Sequence, residues 1–295
     1  MTSESAFIQQ LRAIATHPAA RGLADDTAVL EIGGETLILT HDAMVEDVHF
    51  LPQQDMADVA WKLAAANLSD LAAKGAQPVG VLLGYMLGEQ DDRFLAGLAE
   101  VLDEYQVPLL GGDTVSGDGP RSFGMTAIGT ATSVPVPSRS GAKPGDAIFV
   151  TGPVGGAMVG FEAMRNAKSG SFSAEETATY RRPLPLLGAG QALAPHVTAM
   201  MDVSDGLLLD ASRMASASNV TINIETSQVP IAAPEPRRSD ALRWGDDYQL
   251  LFTANQELAL PVAAHRIGSV LEQSGSPLLI GGTQPDPGDT LGYQH

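Results

Sequence analysis

The sequence predicts a mixed α/β fold, α+β in its element order, built as two domains. Three observations carry this. Short apolar runs bounded by Gly and Pro are interspersed with Ala/Leu-rich segments of helical period, without the strict strand–helix alternation of an all-parallel sheet. The 295 residues are enough for two cores of medium size. A stretch rich in Pro, Gly and Ser, "VPVPSRSGAKPGD" (134–146), divides the chain near its middle.

The elements follow in order. Residues 5–17 read as a short amphipathic helix. "TAVLEIGGETLILT" (27–40) reads as two strands around a Gly33-Gly34 turn, the second running into His41 and Asp42. A helix covers 55–73, a buried strand 78–87, a helix 91–106, a strand 107–114 ending in a glycine turn, and a strand 122–132. We place the domain boundary in the linker, giving 1–137 and 138–295. Beyond it, "AIFVTGPVGGAMVGFEAM" and "TAMMDVSDGLLLDASRMASAS" each read as strand, turn and helix. "VTINIE" is a strand, and "DALRWGDDYQLLFTA" (240–254) a helix, tight turn and strand.

Charge narrows the function. Lys and Arg number 17 against 35 Asp and Glu, a net −18, so no basic surface for nucleic acid is expected and an anionic substrate needs cations between it and the protein. The absence of cysteine excludes disulfides, thiolate metal sites and a cysteine nucleophile. The N-terminal segment has no signal-type apolar core, and runs such as "VGVLLGYML" are too short to span a bilayer, so no membrane association and a cytoplasmic location are expected.

The carboxylates form a pattern. Asp25 and Asp26 precede one strand. Asp42, Asp113, Asp202 and Asp205 follow others, and Asp246-Asp247 lie in the "WGDDYQLLF" turn. Side chains from separate strands converge at such ends, although Asp is also common in turns and helix caps. Asp70 is the anomaly. In "AAANLSDLAAKGAQP" it falls on the same helical stripe as Val59 and Leu63, where an unpartnered carboxylate costs several kcal/mol. Clustered carboxylates without cysteine favour a hard cation such as Mg²⁺, which bridges to phosphate oxygens. Neither a Walker loop nor a kinase glycine loop is present. "GPVGG" (152–156) is a weak candidate phosphate cradle, and such a glycine turn is more often a plain helix entry.

"ADDTAVL", "THDAMVEDVHF", "NLSDLAAKGAQP", "LLGGDT", "SRSGAKPGD", "DVSDGLLLD" and "WGDDYQLLF" occur in the order seen in the thiamine-monophosphate kinase family, within the superfamily of aminoimidazole-ribonucleotide synthetase. The resemblance implies two α/β domains, with N-terminal strands pairing into a dimer barrel. It implies ATP as co-substrate, thiamine monophosphate as acceptor and several Mg²⁺ ions. Carried over by motif, it implies a metal shell of Asp26, Thr40, Asp42, Asp70, Asp113, Asp202 and Asp205. Gly112, Asp113, Arg139 and Ser204 match ATP-contacting positions, and His49, Asp246 and Tyr293 match substrate-contacting ones. No covalent nucleophile is implied. Three departures stand out: Ala24 precedes Asp25-Asp26 where the family has Gly, His41 replaces a hydroxyl residue, and Trp244-Gly245-Asp246 stands where the family has Gly-Gly-Glu. Another ATP-dependent enzyme of the superfamily, or a non-catalytic nucleotide- or metal-binding relative, is the alternative. The lack of cysteine counts against selenophosphate synthetase and the hydrogenase-maturation protein.

Overall fold

The computed structural model describes residues 4–167 and 172–293; the last two residues of the C-terminal "GYQH" lie outside the described residues. After a short helix α1 (Glu4–Arg12) and a 3-10 turn (Pro18–Leu23), the chain enters the hairpin β1 (Ala28–Ile32) and β2 (Glu35–Val45). Gly33 and Gly34 both take positive φ at the turn, where a side chain would be strained. Then come α2 (Met56–Ala73), β3 (Ala76–Met86), α3 (Asp91–Glu104), β4 (Leu109–Val115) and β5 (Ser122–Ala131). These strands form a five-stranded sheet in the order β1-β2-β5-β3-β4, antiparallel except for the β3–β4 pair.

After an irregular connection the second half begins with β6 (Asp146–Val150) and continues through α4 (Gly156–Asn166), α5 (Ala174–Arg181), α6 (Leu187–Leu193), β7 (Ala199–Asp202), α7 (Leu207–Ser218), β8 (Thr221–Ile224), α8 (Arg238–Ala241), β9 (Leu250–Asn255), β10 (His265–Leu271) and β11 (Leu278–Ile280). Its six-stranded sheet runs β11-β8-β10-β6-β9-β7 and is likewise mixed, with β11 parallel to β8.

Helix α2 sits between the halves. It packs on β2, β5, α3, α5, α6 and β7, and of its residues only Asp70 escapes the buried class. Its many alanines allow neighbours to approach on every side. A Cβ on Gly97 of α3 would lie 2.2 Å from the Ala57 carbonyl oxygen, and one on Gly190 of α6 would lie 1.9 Å from that of Ala72. Only glycine fits these crossings. Asp55 caps the helix by accepting from Ala57 N at 3.0 Å.

The structure departs from expectation in three places. α1 ends at Arg12, well short of residue 17, and the chain enters a 3-10 turn begun by Pro18. Gly111 and Gly112 lie inside β4, paired with Leu82 and Leu83, so the strand continues through them where a turn was expected. Strands β10 and β11 were not anticipated, because they are short and broken by Gly, Pro and polar residues.

Candidate active site

The ends of β2, α2 and β7 face one cavity of about 810 Å³, closed on its other side by the 243–248 turn and the C-terminal segment. Side chains alternate across a strand, so Thr40 and Asp42 share the face of β2 that meets α2. The Thr40 hydroxyl donates to Asp70 Oδ2. Asp42 is placed by its backbone N–H, which donates to Asn67 Oδ1 of α2 at 3.1 Å. His41 points to the opposite face, where Nδ1 meets Thr126 Oγ1 at 2.9 Å, and it does not line the cavity. From the second half, Asp202 ends β7 and accepts from the Ser69 hydroxyl of α2 at 2.5 Å.

These placements bring one carboxylate oxygen each from Asp26, Asp70 and Asp202 within 4.8 Å of one another. The electrostatic consequence is direct. Burial, then repulsion from Asp42, Asp202 and Asp26, pushes the Asp70 carboxyl well above the ordinary carboxylate range, against the opposing hydrogen bond from Thr40. Asp70 keeps some solvent contact through the cavity, but the protein behind it and the carboxylates beside it decide the direction. Asp202 is pushed up to about 8 by burial and then by Asp26. Asp42 rises to about 6, again by burial first, with Asp26 and Asp205 adding and His41 opposing. A wholly oxygen donor set whose members repel one another fits a hard divalent cation.

Two cations already hold Asp26. Arg139 Nε donates to its Oδ1 at 2.6 Å, and the fully buried Lys74 Nζ lies 2.5 Å from its Oδ2. Lys74 also donates to Asp25 Oδ1 at 2.6 Å. Burial alone would raise the Asp25 carboxyl, but Lys74 and Arg21 outweigh it and hold the group well below the usual range. Asp205 is paired with Arg213.

Aromatic side chains line the cavity as well. Phe161, Tyr180, Trp244, Tyr248 and Tyr293 line it together with Met44 and Val48. Phe161 packs against both Tyr180 and Trp244 at centroid distances of 5.3 Å. Asp246 lies among them in a left-handed backbone conformation, φ 65°. Val45 N donates to His49 Nδ1 at 3.0 Å, so in the neutral imidazole the proton sits on Nε2.

Comparison with known proteins gives the family. Residues 24–131 match the family model for the AIR synthase related protein N-terminal domain, and 143–292 match its C-terminal domain. Thiamine-monophosphate kinase of Salmonella typhimurium is 37% identical over 84% of this chain and 81% of that protein. The chain belongs to the thiamine-monophosphate kinase family. The Caulobacter vibrioides thiamine-monophosphate kinase is 36% identical over 94% of this chain and 86% of its own length. Among solved structures, AaThiL complexed with AMPPCP and TMP superposes with a TM-score of 0.87 at 27% identity, covering 99% of this chain and 97% of that one.

With the thiamine-monophosphate kinase family established, the residues singled out in the sequence can be placed. Asp26, Asp42, His49, Asp70, Arg139, Asp202, Ser204, Asp205, Asp246 and Tyr293 all line the cavity, and Thr40 stands behind Asp70. Gly112 and Asp113 do not line it. They lie on the exposed edge strand β4, opposite Leu83 and Gly84 of β3. The "GPVGG" cradle is occupied from within: Asp247 accepts from Gly155 N at 2.5 Å and Ala157 N at 3.1 Å, filling the N-terminus of α4. Sequence reasoning missed Phe161, Tyr180, Trp244 and Tyr248, whose spacing resembles that of ordinary core. It also passed over Lys62 and Lys74. A lysine inside the apolar run of α2 is as conspicuous as Asp70 and was the available signal.

Proposed function

We propose that this chain phosphorylates thiamine monophosphate to thiamine diphosphate, using ATP as the phosphoryl donor. One observation carries the reading beyond family membership. A single cavity holds an all-oxygen carboxylate cluster, Asp26, Asp70 and Asp202, and an aromatic lining around one further carboxylate, Asp246. The first suits phosphates and the second suits a flat, amine-bearing heterocycle.

Asp26, Thr40, Asp42, Asp70, Asp202 and Asp205 would hold Mg²⁺, which when bound offsets the charge of two phosphate groups that must approach each other. The acceptor phosphate is already largely ionised near neutral pH, so the chain needs no general base. Its residues bind and orient. Arg139 and Ser204 line the cavity as contacts for the triphosphate, with the guanidinium fixed by Asp26. His49, Asp246 and Tyr293 meet the acceptor molecule from the cavity wall. An oxygen of the acceptor phosphate bonds to the γ-phosphorus as the bond to the β-phosphate oxygen breaks and ADP departs.

The division into 1–137 and 138–295 and a homodimer belong to the same proposal. The irregular connection between β5 and β6 supports the first. The second is supported by β4, whose residues are all exposed and include Leu109, Leu110 and Val115 at 49–54%. Pairing with a second copy would cover this face and give Gly112 and Asp113 a nucleotide to contact across the interface. The reaction belongs in the cytoplasm, where ATP is made; among the described residues no helix is long and apolar enough to cross a membrane.

The test is a coupled assay for ADP with chromatography of the thiamine products. Equal amounts of ADP and thiamine diphosphate, both requiring thiamine monophosphate and Mg²⁺, are expected. ADP release indifferent to thiamine monophosphate would overturn the assignment.

A further inference from the structure

Lys62 is fully buried in α2 and does not itself reach the cavity. A buried ammonium costs several kcal/mol unless its protons are all used. Here they are. Nζ donates to Asp246 Oδ2 at 2.7 Å and to the His49 carbonyl at 3.0 Å, and it sits 4.0 Å from the centroid of the Tyr180 ring. All three partners belong to residues that line the cavity. The other oxygen of Asp246, Oδ1, accepts from the Tyr248 hydroxyl at 3.1 Å. Burial, and then the charge of Asp246, raises that phenol well above its ordinary range and keeps it a donor. The backbone beneath is fixed too. Asp246 N donates to the Ser204 carbonyl at 2.8 Å and Tyr248 N to that of Val203 at 2.9 Å, while both residues hold positive φ. Positive φ at a tyrosine is uncommon and persists only where its surroundings enforce it.

We infer that Lys62 is a positioning residue for the acceptor molecule: together with Tyr248 it clamps the Asp246 carboxylate and balances its charge, so that the cavity presents a neutral, fixed acceptor to an N–H donor of the heterocycle. This rests on the proposed function, which puts the organic part of the acceptor beside Asp246. An unclamped Asp246 would swing toward water; clamped by Lys62 and Tyr248, it stays in the cavity wall. A lysine placed there for stability alone would act on the whole fold and would not distinguish the two substrates.

The experiment measures binding of thiamine monophosphate and of Mg²⁺–ATP separately, by calorimetry, together with steady-state turnover. For Lys62→Met the Kd for thiamine monophosphate should rise about ten- to a hundredfold, the loss of one hydrogen bond to a charged group. The Kd for Mg²⁺–ATP should stay within about twofold. In an Asp246→Asn background the same substitution should add little, because the group it positions is no longer a carboxylate. If Lys62→Met does not fold, Tyr248→Phe keeps the ring and should still weaken thiamine monophosphate about three- to tenfold, selectively. Unchanged affinity in the folded variants, or an equal loss for ATP, overturns the positioning role while the function stands. A wild-type protein that neither binds nor phosphorylates thiamine monophosphate overturns the function itself.

Discussion

Asp70 shows how one residue can be wrong for its element and right for the site. It occupies a stripe of α2 that otherwise faces core, and its hydrogen-bond partner among the described residues is the Thr40 hydroxyl. Its other neighbours repel it. Asp70→Asn keeps the shape and removes the charge. We expect turnover to fall about a hundredfold or more, while the metal-free protein gains a few degrees in Tm because a repelled carboxylate is gone. Paired assays and calorimetry without Mg²⁺ check both. The same repulsion fixes the pH dependence. In the fold Asp42 titrates near about 6, Asp210 and Asp247 near about 7 and Asp202 near about 8, against about 4 when unfolded. Their folded values are raised, so their stabilising effect is complete below about pH 4 and is lost as pH rises through the folded values. Asp25, shifted the other way, matters only below that window. The metal-free protein should therefore melt lower at about pH 8 than at about pH 5.5. Mg²⁺ with ATP should flatten the slope by taking over Asp42 and Asp202. A melting point that rises across this window would contradict the assignment.

At the scale of elements, the start of α4 shows a carboxylate where a phosphate was conceivable. Gly155 and Gly156 admit Ala241 and Thr179 against the start of the helix, and Asp247, from the turn before β9, accepts from the Gly155 and Ala157 N–H groups. Asp247→Ala would strand buried N–H groups and should cost about 2–4 kcal/mol. Asp247→Asn retains an acceptor and should cost less, with urea unfolding as the measure. The crossing of α2 and α3 depends on Gly97 in the same strict way. Gly97→Ala forces a methyl onto the Ala57 carbonyl and should cost about 1–3 kcal/mol through displacement of the helices. A cost below about half a kcal/mol would show that α3 moves freely.

On the scale of the molecule, α2 connects the two halves. Ser69 and Lys74 reach Asp202 and the Met200 carbonyl of β7, Asp58 pairs with Arg181 and Arg182, and Trp61 Nε1 donates to the Pro183 carbonyl at 2.9 Å. The opposite edge of the first sheet is the exposed one. Sedimentation at micromolar concentration should show a species near twice 30.7 kDa. Charge on that edge, as in Leu110→Glu, should shift it toward monomer and reduce turnover together. An active monomer would remove the need for a partner's Asp113.

Much of this was legible in one dimension, because periodicity and turn chemistry are local. The extent of α2 and the turn of the β1–β2 hairpin follow from Asp55 and from Gly33-Gly34, but β2 runs on to Val45, so Asp42 lies within it, as Asp113 lies within β4. Asp26, Asp42, Asp70 and Asp202 could be named because their motifs surround them in sequence, whereas the aromatic lining, Phe161, Tyr180, Trp244 and Tyr248, could not. What tertiary structure alone decided depends on contacts between residues far apart. It turned His41 away from the cavity by the alternation of β2 around Thr40 and Asp42. It placed Asp247 in the glycine cradle 92 residues away from Gly155. It joined Lys62 to Asp246 across 184 residues, and it left Gly112 and Asp113 on an open edge. No local propensity encodes such pairings, since a buried charge finds its partner only when the chain closes around both.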